Sequence, residues 1–281
     1  MQKLVDQENR KNHHMHIKQE KQSKGDLNMK KLFTVLALVL FILTPVFANG
    51  AEEKAEEKVY TVAANCEWPP FEFVDENGNI VGFEMDLVKA IGEAMGVKIE
   101  IQNVAWDGIF AGLQTGMYDA VASGVTVTEL RKESMDFTTP FVTLDQAILV
   151  KADGPEYKNE KDLAGKKVGV QNGTTGHFAV QDAGIKDIKN FDNIPEAVLD
   201  LANGNIDAVV CDSLVANDYV LTNDQFKGAL KVSGHLENTE VEDIAMCTTK
   251  GNPFLQILEE GYQKCLADGT VDALKAKYNI L

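Results

Sequence analysis

Basic residues are scarce in this chain. Its 281 residues include 27 Lys and Arg against 43 Asp and Glu, a formal net charge of −16 at pH 7. Because nucleic-acid phosphates are bound by clustered Lys and Arg, this balance argues against a nucleic-acid partner. Residues 1–48 hold eight basic against four acidic residues, so the remainder, with 19 against 39, would carry −20. The amino-terminal segment therefore differs in kind from the rest.

Cysteine and histidine are few, and their spacing suits neither catalysis nor metal binding. After residue 48 the histidines are His177 and His235, so no Ser-His-Asp or Cys-His set can be recognised, and no GxxxxGK[ST] phosphate-binding loop is present. We expect neither a metal nor a cofactor, and no catalytic residues. Four cysteines fit no zinc or CxxC spacing and are expected to be buried free thiols, although export would permit disulfides. They are Cys66, Cys211, Cys247 and Cys265.

Long hydrophobic runs are missing, with one exception at residues 32–43. Lys30 and Lys31 precede this run, and a Thr-Pro break and a small-x-small pattern ending at Ala48 follow it. These features predict a secretory signal peptide over residues 29–48. The run is shorter than the ~20 residues that a bilayer span requires, and an amino-terminal anchor is the alternative.

The segments on either side of the signal peptide are set apart from the fold. Residues 1–28 are interpreted as a non-native or misassigned amino-terminal extension, and metal binding by its three histidines is the alternative. Residues 49–58 are expected to form a charged tether. After cleavage the protein is predicted to be soluble and periplasmic.

From residue 59 onward, strand-like and helix-like patterns alternate. Apolar and β-branched runs predict strands at 59–64, 97–104, 118–123, 146–150, 167–171, 189–191, 208–211 and 244–248, with a hairpin-like excursion at 71–83. Helical spacing predicts helices at 85–95, 106–115, 128–135, 176–183, 195–203, 214–221, 254–268 and 270–278. This order indicates α/β units on largely parallel sheets. Residues 153–159 are interpreted as a connection between lobes. Because the alternation of strands and helices restarts after them, two lobes are favoured over one doubly wound domain.

One short pattern occurs in both halves of the chain. Residues 119–121 and 207–209 both read Asp-Ala-Val, and each follows a predicted helix and a glycine. The aspartate would open a strand whose far end leads to polar residues, Ser123-Gly124 in the first half and Asp212 in the second. Since ligands of open α/β sheets bind beyond the carboxyl ends of the strands, two such edges suggest a cleft between lobes.

The segment 123–131 (SGVTVTELR) contains a candidate anion site. Thr128 is a predicted helix N-cap, with Arg131 three residues later. The N–H groups of a helix start and the guanidinium of Arg131 could together hold a carboxylate. The alternative is a surface arginine on a capped helix.

Five segments jointly resemble the bacterial periplasmic amino-acid-binding proteins of polar amino-acid ABC transporters, solute-binding protein family 3. They are 59–73 (VYTVAANCEWPPFEF), 82–87 (GFEMDL), 106–114, 123–137 and 168–176 (VGVQNGTTG), and the resemblance covers residues 59–281. It implies the type II periplasmic-binding-protein fold, α/β in class, with the ligand cleft between two lobes. Lobe 1 would comprise 59–148 and 245–281, lobe 2 would comprise 149–244, and two crossing strands would lie near 147–151 and 243–247.

The resemblance also implies how the head group of a bound L-amino acid is held. Its ammonium would meet Asp212 and the Ser123 carbonyl. Its α-carboxylate would meet Arg131, the main chain around Gly124 and Thr126, and Thr175 in the second lobe. A planar guanidinium fork suits a carboxylate, and a carboxylate suits an ammonium. The alternatives are a helix N-cap for Asp212 and a turn or cap for Thr175.

The side-chain pocket would be formed by Trp68 and Trp106, stacked on opposite sides of the ligand. Core packing is the alternative for Trp68. Asn65 stands where many relatives carry Asp, so an obvious counter-ion for a cation is missing there, and Glu67 could supply that charge or be a solvated loop carboxylate. Gln171 stands where relatives vary with the ligand. No second Arg or Lys is found, which disfavours glutamate and aspartate.

The resemblance predicts an extracytoplasmic solute-binding protein rather than an enzyme. It would capture a polar, in our interpretation cationic or neutral, L-amino acid by lobe closure and deliver it to the permease of an ABC transporter, as a monomer. The alternative is an enzyme like cyclohexadienyl dehydratase on the same scaffold, with Glu67 or Asp212 as general acid. A receptor sensor module is disfavoured because no membrane span or intracellular domain follows.

Overall fold

The computed structural model describes residues 58–237, 239 and 241–280, and in these ranges strands and helices alternate. The strands are β1 (Val59–Ala64), β2 (Glu67–Trp68), β3 (Glu72–Val74), β4 (Ile80–Val81), β5 (Lys98–Asn103), β6 (Ala120–Val121), β7 (Met135–Phe137), β8 (Val142–Leu144), β9 (Gln146–Lys151), β10 (Lys167–Gln171), β11 (Asp187–Phe191), β12 (Ala208–Asp212), β13 (Leu230–His235), β14 (Glu242–Ile244) and β15 (Cys247–Thr249). The helices are α1 (Phe83–Met95), α2 (Ile109–Thr115), α3 (Glu129–Lys132), α4 (Thr175–Asp182), α5 (Ile194–Ala202), α6 (Ser213–Leu221), α7 (Phe254–Ala267) and α8 (Thr270–Lys277), with a 3₁₀ helix at Glu160–Leu163. The predicted extension and signal peptide lie outside the described residues.

The first lobe is built on a five-stranded sheet in the order β5-β1-β6-β15-β7. β1 pairs in parallel with β5 and β6, whereas β15 is antiparallel to β6 and β7. The carboxy-terminal helices return to this lobe: the Phe254 ring stacks on Tyr60 with centroids 4.0 Å apart. A Cβ at Gly261 of α7 would lie 2.6 Å from Ile91 of α1, so the absence of a side chain permits this close helix packing.

The second lobe repeats this plan in a sheet of order β11-β10-β12-β9-β13. β10 is parallel to β11 and β12, and β9 is antiparallel to β12 and β13. In each lobe, therefore, three parallel strands carry the α/β units, and two further strands extend the sheet through antiparallel pairing. The predicted two-lobed α/β architecture is confirmed.

The lobes are joined by a short antiparallel pair, β8 with β14, in which Val142 faces Ile244 and Leu144 faces Glu242. The prediction of a first crossing strand at 147–151 is wrong, and the predicted boundary at residue 148 falls inside β9. All pairs of β9 lie in the second sheet. Its apolar run is fully buried, as suits a strand covered on both faces.

Other differences arise where local patterns were short. The strand predicted at 118–123 is only the two residues of β6, and the helix predicted at 128–135 is the four residues of α3 followed by β7. Residues 153–159 do not connect the lobes, because they link β9 to the 3₁₀ helix within the second lobe. β13 was not predicted; its register shifts between Val232 and Gly234, which interrupts the alternation.

All four cysteines are buried and free, as predicted. Across the described ranges, no helix combines the length and apolar character that a membrane crossing demands.

Candidate functional site

A cleft of about 470 Å³, part of it open to solvent, lies between the carboxyl ends of β6 and β12. All but one of the predicted site residues line it: Asn65, Trp68, Trp106, Ser123, Gly124, Thr126, Arg131, Gln171, Thr175 and Asp212. The exception is Glu67, which is exposed and not among the lining residues. Glu67 and Trp68 are the two residues of β2, and successive side chains of a strand point to opposite faces. Because Trp68 is buried, the side chain of Glu67 faces solvent.

The repeated Asp-Ala-Val pattern fixes the strands that lead to the cleft. The carboxylate of Asp119 accepts the N–H of Thr61 on β1 at 2.8 Å, and that of Asp207 accepts the N–H of Lys167 on β10 at 2.8 Å. Each aspartate N–H in turn donates to the carbonyl of the same partner. These paired bonds anchor the starts of β6 and β12, so their far ends arrive together at the cleft.

Arg131 is a partly buried residue that lines the cleft rather than a surface arginine. Thr128 caps α3 as predicted, accepting the N–H of Arg131 at 3.2 Å. The guanidinium donates from Nη1 to the Thr126 carbonyl at 2.8 Å and lies over the Phe110 ring, 5.0 Å from its centroid. Burial lowers the pKa of Arg131 from its usual value, but a guanidinium stays charged at neutral pH. Its remaining N–H groups can face a carboxylate.

Backbone donors from both lobes stand near this guanidinium. Within the described part of the chain, the N–H groups of Thr126 and Thr175 donate to no other atom. Thr175 is the first residue of α4, whose N-cap is Thr174. The hydroxyl oxygens of Thr126 and Thr175 are 3.5 Å apart across the cleft. One anion could therefore be held from both sides.

The expectation for the main chain of Gly124 needs correction. Its N–H donates to Glu84 Oε2 at 2.8 Å within the first lobe. Gly124 matters for another reason: its φ is +56°, and a Cβ there would lie 2.3 Å from the Trp68 ring. Trp68 itself is almost fully buried and stacks on Phe71 at 4.7 Å, so it combines core packing with a face on the cleft.

Asp212 ends β12 and carries a raised pKa. It occupies the N-cap position of α6, yet its side chain makes no capping bond and accepts from Gln146 Nε2 at 2.9 Å. Burial raises the pKa of Asp212 to about 7, and the negative charge of Glu242 on β14 acts in the same direction. A cation in the cleft would relieve both effects.

Three contacts across the cleft hold the lobes together in this structure. Trp106 Nε1 donates to the Asn172 carbonyl at 3.1 Å, and Gln171 Nε2 lies 3.5 Å from Asn65 Oδ1. The third is the Thr126–Thr175 hydroxyl contact. Asn65, Gln171 and Trp106, predicted only as pocket residues, thus also link the lobes.

Sequence reasoning missed the acid at the base of the cleft. Glu72 lines the cleft, is fully buried, and accepts from Ser123 Oγ at 3.0 Å. Its neighbour is the fully buried Glu84 at the start of α1. Burial raises the pKa of Glu84 to about 7, and burial together with Glu84 raises that of Glu72 well above its usual range. A glutamate inside the apolar Pro-Pro-Phe-Glu-Phe run was the available signal.

Further lining residues that were not predicted are Gln146, Thr174, Ile194, Val210 and Cys211. Among the described residues, no three His, Cys, Asp or Glu side chains are grouped as a metal site would require.

Comparison with known proteins matches residues 60–280 to the family of bacterial extracellular solute-binding proteins, family 3. A probable histidine-binding protein of Neisseria gonorrhoeae is 37% identical over 262 residues, covering 90% of this chain and 96% of the relative. The solved arginine-, lysine-, histidine-binding protein of Geobacillus stearothermophilus superimposes with a TM-score of 0.74 at 36% identity, covering 79% of this chain and 95% of that one.

A second similar solved structure bears on the enzyme alternative. It is an ancestral amino-acid-binding protein described as a precursor of cyclohexadienyl dehydratase, with a TM-score of 0.69 and 35% identity over 78% of this chain and 94% of that one. That protein is named as a binding protein, as are the two preceding relatives.

Proposed function

The chain belongs to the bacterial extracellular solute-binding proteins, family 3, and we propose that it captures a cationic L-amino acid and delivers it to the permease of an ABC transporter. Its role as a transport-associated binding protein follows from the family and the relatives. Arginine, lysine and histidine, the ligands in the names of the first two relatives reported above, form the class proposed for this chain.

The observation that carries the choice of a cation is the acid Glu72 in the cleft. Arg131, with the N–H groups of Thr126 and Thr175, supplies the partners for an α-carboxylate, and Asp212 supplies one for an ammonium. Glu72 is then the lining carboxyl group left for the ligand side chain. No Lys lines the cleft, and Arg131, the cation among the lining residues, is assigned to the ligand's α-carboxylate. No cation of the cleft is therefore left to pair with an acidic ligand side chain.

Lobe closure is the proposed mechanism. Because Arg131 and Thr126 lie in the first lobe and Thr175 and Asp212 in the second, a ligand completes its head-group bonds only when the lobes meet. A ligand that binds the closed state more tightly shifts the population toward it. The permease would then recognise the closed form. We propose export to the periplasm and a monomeric state as parts of the same function.

A thermal-shift and calorimetric screen tests this proposal. The protein from residue 49, unfolded and refolded to remove carried-over ligand, is screened against all L-amino acids, citrulline and prephenate. We expect arginine, lysine or histidine to raise the melting temperature most, since binding to the folded state stabilises by mass action. Glu72→Gln should reduce this preference for a cation over citrulline. A preference for neutral amino acids would overturn the choice of ligand.

The enzyme alternative is favoured by the raised pKa of two cleft carboxyl groups, Asp212 and Glu72, and the Asp212 side chain in particular could donate a proton near neutral pH. With an amino acid bound, its ammonium would instead favour the ionised carboxylate and remove that proton, whereas prephenate carries no ammonium and would leave it in place. Turnover of prephenate in the same screen would move the function to a dehydratase, and its absence together with amino-acid binding would support transport.

A further inference from the structure

Glu72 and Glu84 form an acid pair beside the cleft in which one oxygen of each carboxyl group is hydrogen-bonded and the other is not. Glu72 Oε1 accepts from Ser123 Oγ at 3.0 Å, and Glu84 Oε2 accepts the N–H of Gly124 at 2.8 Å. The other two oxygens, Glu72 Oε2 and Glu84 Oε1, are buried with no hydrogen-bond partner. Both carboxyl groups are fully buried and within hydrogen-bonding reach of each other.

A single proton between these two oxygens completes the network. If Glu72 Oε2 carries the proton and donates it to Glu84 Oε1, each of the four carboxyl oxygens takes part in a hydrogen bond. Buried polar atoms in folded proteins are nearly always satisfied in this way. Two ionised carboxylates in contact would repel each other and leave both oxygens unpartnered.

Among the described residues, the cations of this region have other partners: Arg131 of the cleft donates to the Thr126 carbonyl, and Lys89 on α1 donates to the Ile80 carbonyl and to Asp86. The charged and titratable groups acting on the pair are Asp212 at the end of β12, the thiol of Cys66 before β2 and the thiol of Cys247 on β15. Burial raises the pKa of each thiol to about 12, so both are neutral at pH 7. The first turn of α1, which contains Glu84, favours one negative charge through its helix dipole. The site therefore sustains one charge and one proton.

We propose that the Glu72–Glu84 pair stores one proton in the ligand-free protein, and that a ligand side-chain cation seated against Glu72 releases it to solvent. Glu84 does not line the cleft and would act as a positioning residue that sets the charge the ligand meets. This inference rests on the proposed function for the ligand, but the stored proton itself does not depend on it.

The number of protons released on binding tests the proposal. Titration calorimetry at pH 7 in buffers of different ionisation enthalpy is run with arginine and with citrulline, which has the same head group and a neutral side chain. Any proton linked to Asp212 cancels in the comparison because both ligands carry the ammonium. We expect arginine to release about one more proton than citrulline. Equal release at saturating arginine would overturn the proposal.

Glu84→Gln separates the stored proton from the ligand contact. Its carboxamide can donate to Glu72 Oε2 and accept the Gly124 N–H, so the network is kept without a proton. We expect the difference in proton release between arginine and citrulline to disappear, with arginine still bound. Glu93→Gln, an exposed change on the same helix, is the matched control and should leave the difference intact. A Glu84→Gln protein that still releases the extra proton would refute the assignment.

Infrared spectroscopy of the ligand-free protein distinguishes failure of this inference from failure of the proposed function. A stored proton predicts a protonated-carboxyl C=O band at pH 7, separate from that of Asp212 and retained in Asp212→Asn, that is lost in both Glu84→Gln and Glu72→Gln. If arginine fails to bind but the band behaves in this way, the choice of ligand is wrong and the stored proton stands. If the band is absent from the wild type, the stored proton is wrong whichever ligand binds.

Discussion

Strands β6 and β12 hold corresponding positions in the two sheets, and they begin alike but end differently. Each begins with an aspartate bonded to the N–H of the neighbouring strand at 2.8 Å. At the cleft, β6 leads to Ser123 and Gly124, which carry no charge and are bonded to the Glu72–Glu84 pair. β12 leads to the carboxylate of Asp212.

This difference divides the proposed recognition between the lobes. The first lobe would supply a fixed cation, Arg131, and an acid pair for the side chain. The second would supply a single carboxylate, Asp212, and the start of α4. Neither lobe alone has a complete set of partners for an amino-acid head group, so tight binding would require both.

The largest expected effect comes from removing the charge that the first lobe supplies. Arg131→Ala should weaken ligand binding by about 3 kcal/mol, roughly 150-fold, because a buried charge partner is lost. Calorimetry measures this, with Lys132→Ala as control, since Lys132 is an exposed cation on the same short helix. Thr175→Ala in the second lobe should cost less, because its N–H remains. Unchanged affinity in Arg131→Ala would break the assigned division between the lobes.

The next effect tests the close approach of Gly124 to Trp68 in the first lobe. Gly124→Ala places a Cβ against the Trp68 ring at a φ of +56°, and should destabilise the fold by about 2.5 kcal/mol and weaken binding. Gly116→Ala is the control, with a φ of +75° and nothing within 4 Å of the added Cβ. It should cost about 1 kcal/mol and leave affinity unchanged. Equal effects in denaturant unfolding would show that the ring contact is unimportant.

The second lobe is tested through the pH dependence of stability. Asp212 has a pKa of about 7 in the folded protein, above the unfolded value near ~3.9, so the wild type loses stability as pH rises between these values. Asp212→Asn lacks this loss and should be more stable above pH 7, by on the order of 2 kcal/mol, with no advantage near pH 4. Denaturant unfolding of ligand-free protein measures the difference. Asp187→Asn, exposed in the same lobe, controls for charge removal, and a pH-independent difference would contradict the assignment.

The sequence was informative where a residue's role depends on its near neighbours. Thr128 as N-cap, β1, β10 and the paired aspartates depend on patterns within a few residues, and the structure has each in place. The hinge and the acid pair could not be read in this way. β8 pairs with β14 about 100 residues later, and Glu72 meets Glu84 through a turn between apolar segments. A buried glutamate in an apolar run looks like an exposed one until its partner is known.

The smallest effect compares the two aspartates that open β6 and β12. Asp119→Ala should destabilise by about 1.5 kcal/mol, because it leaves the partly buried N–H and hydroxyl of Thr61 without their acceptor. Asp207→Ala should cost about 0.5 kcal/mol, since water can replace the acceptor for the exposed N–H of Lys167. Denaturant unfolding measures both changes, and calorimetry should show unchanged ligand affinity. If Asp119→Ala also weakened binding, the register of β6 would be controlling the position of Ser123 and Gly124, and through them the acid pair. Asp119 and Asp207 would then differ in function as well as in burial, and the two lobes would be alike in their strand order only.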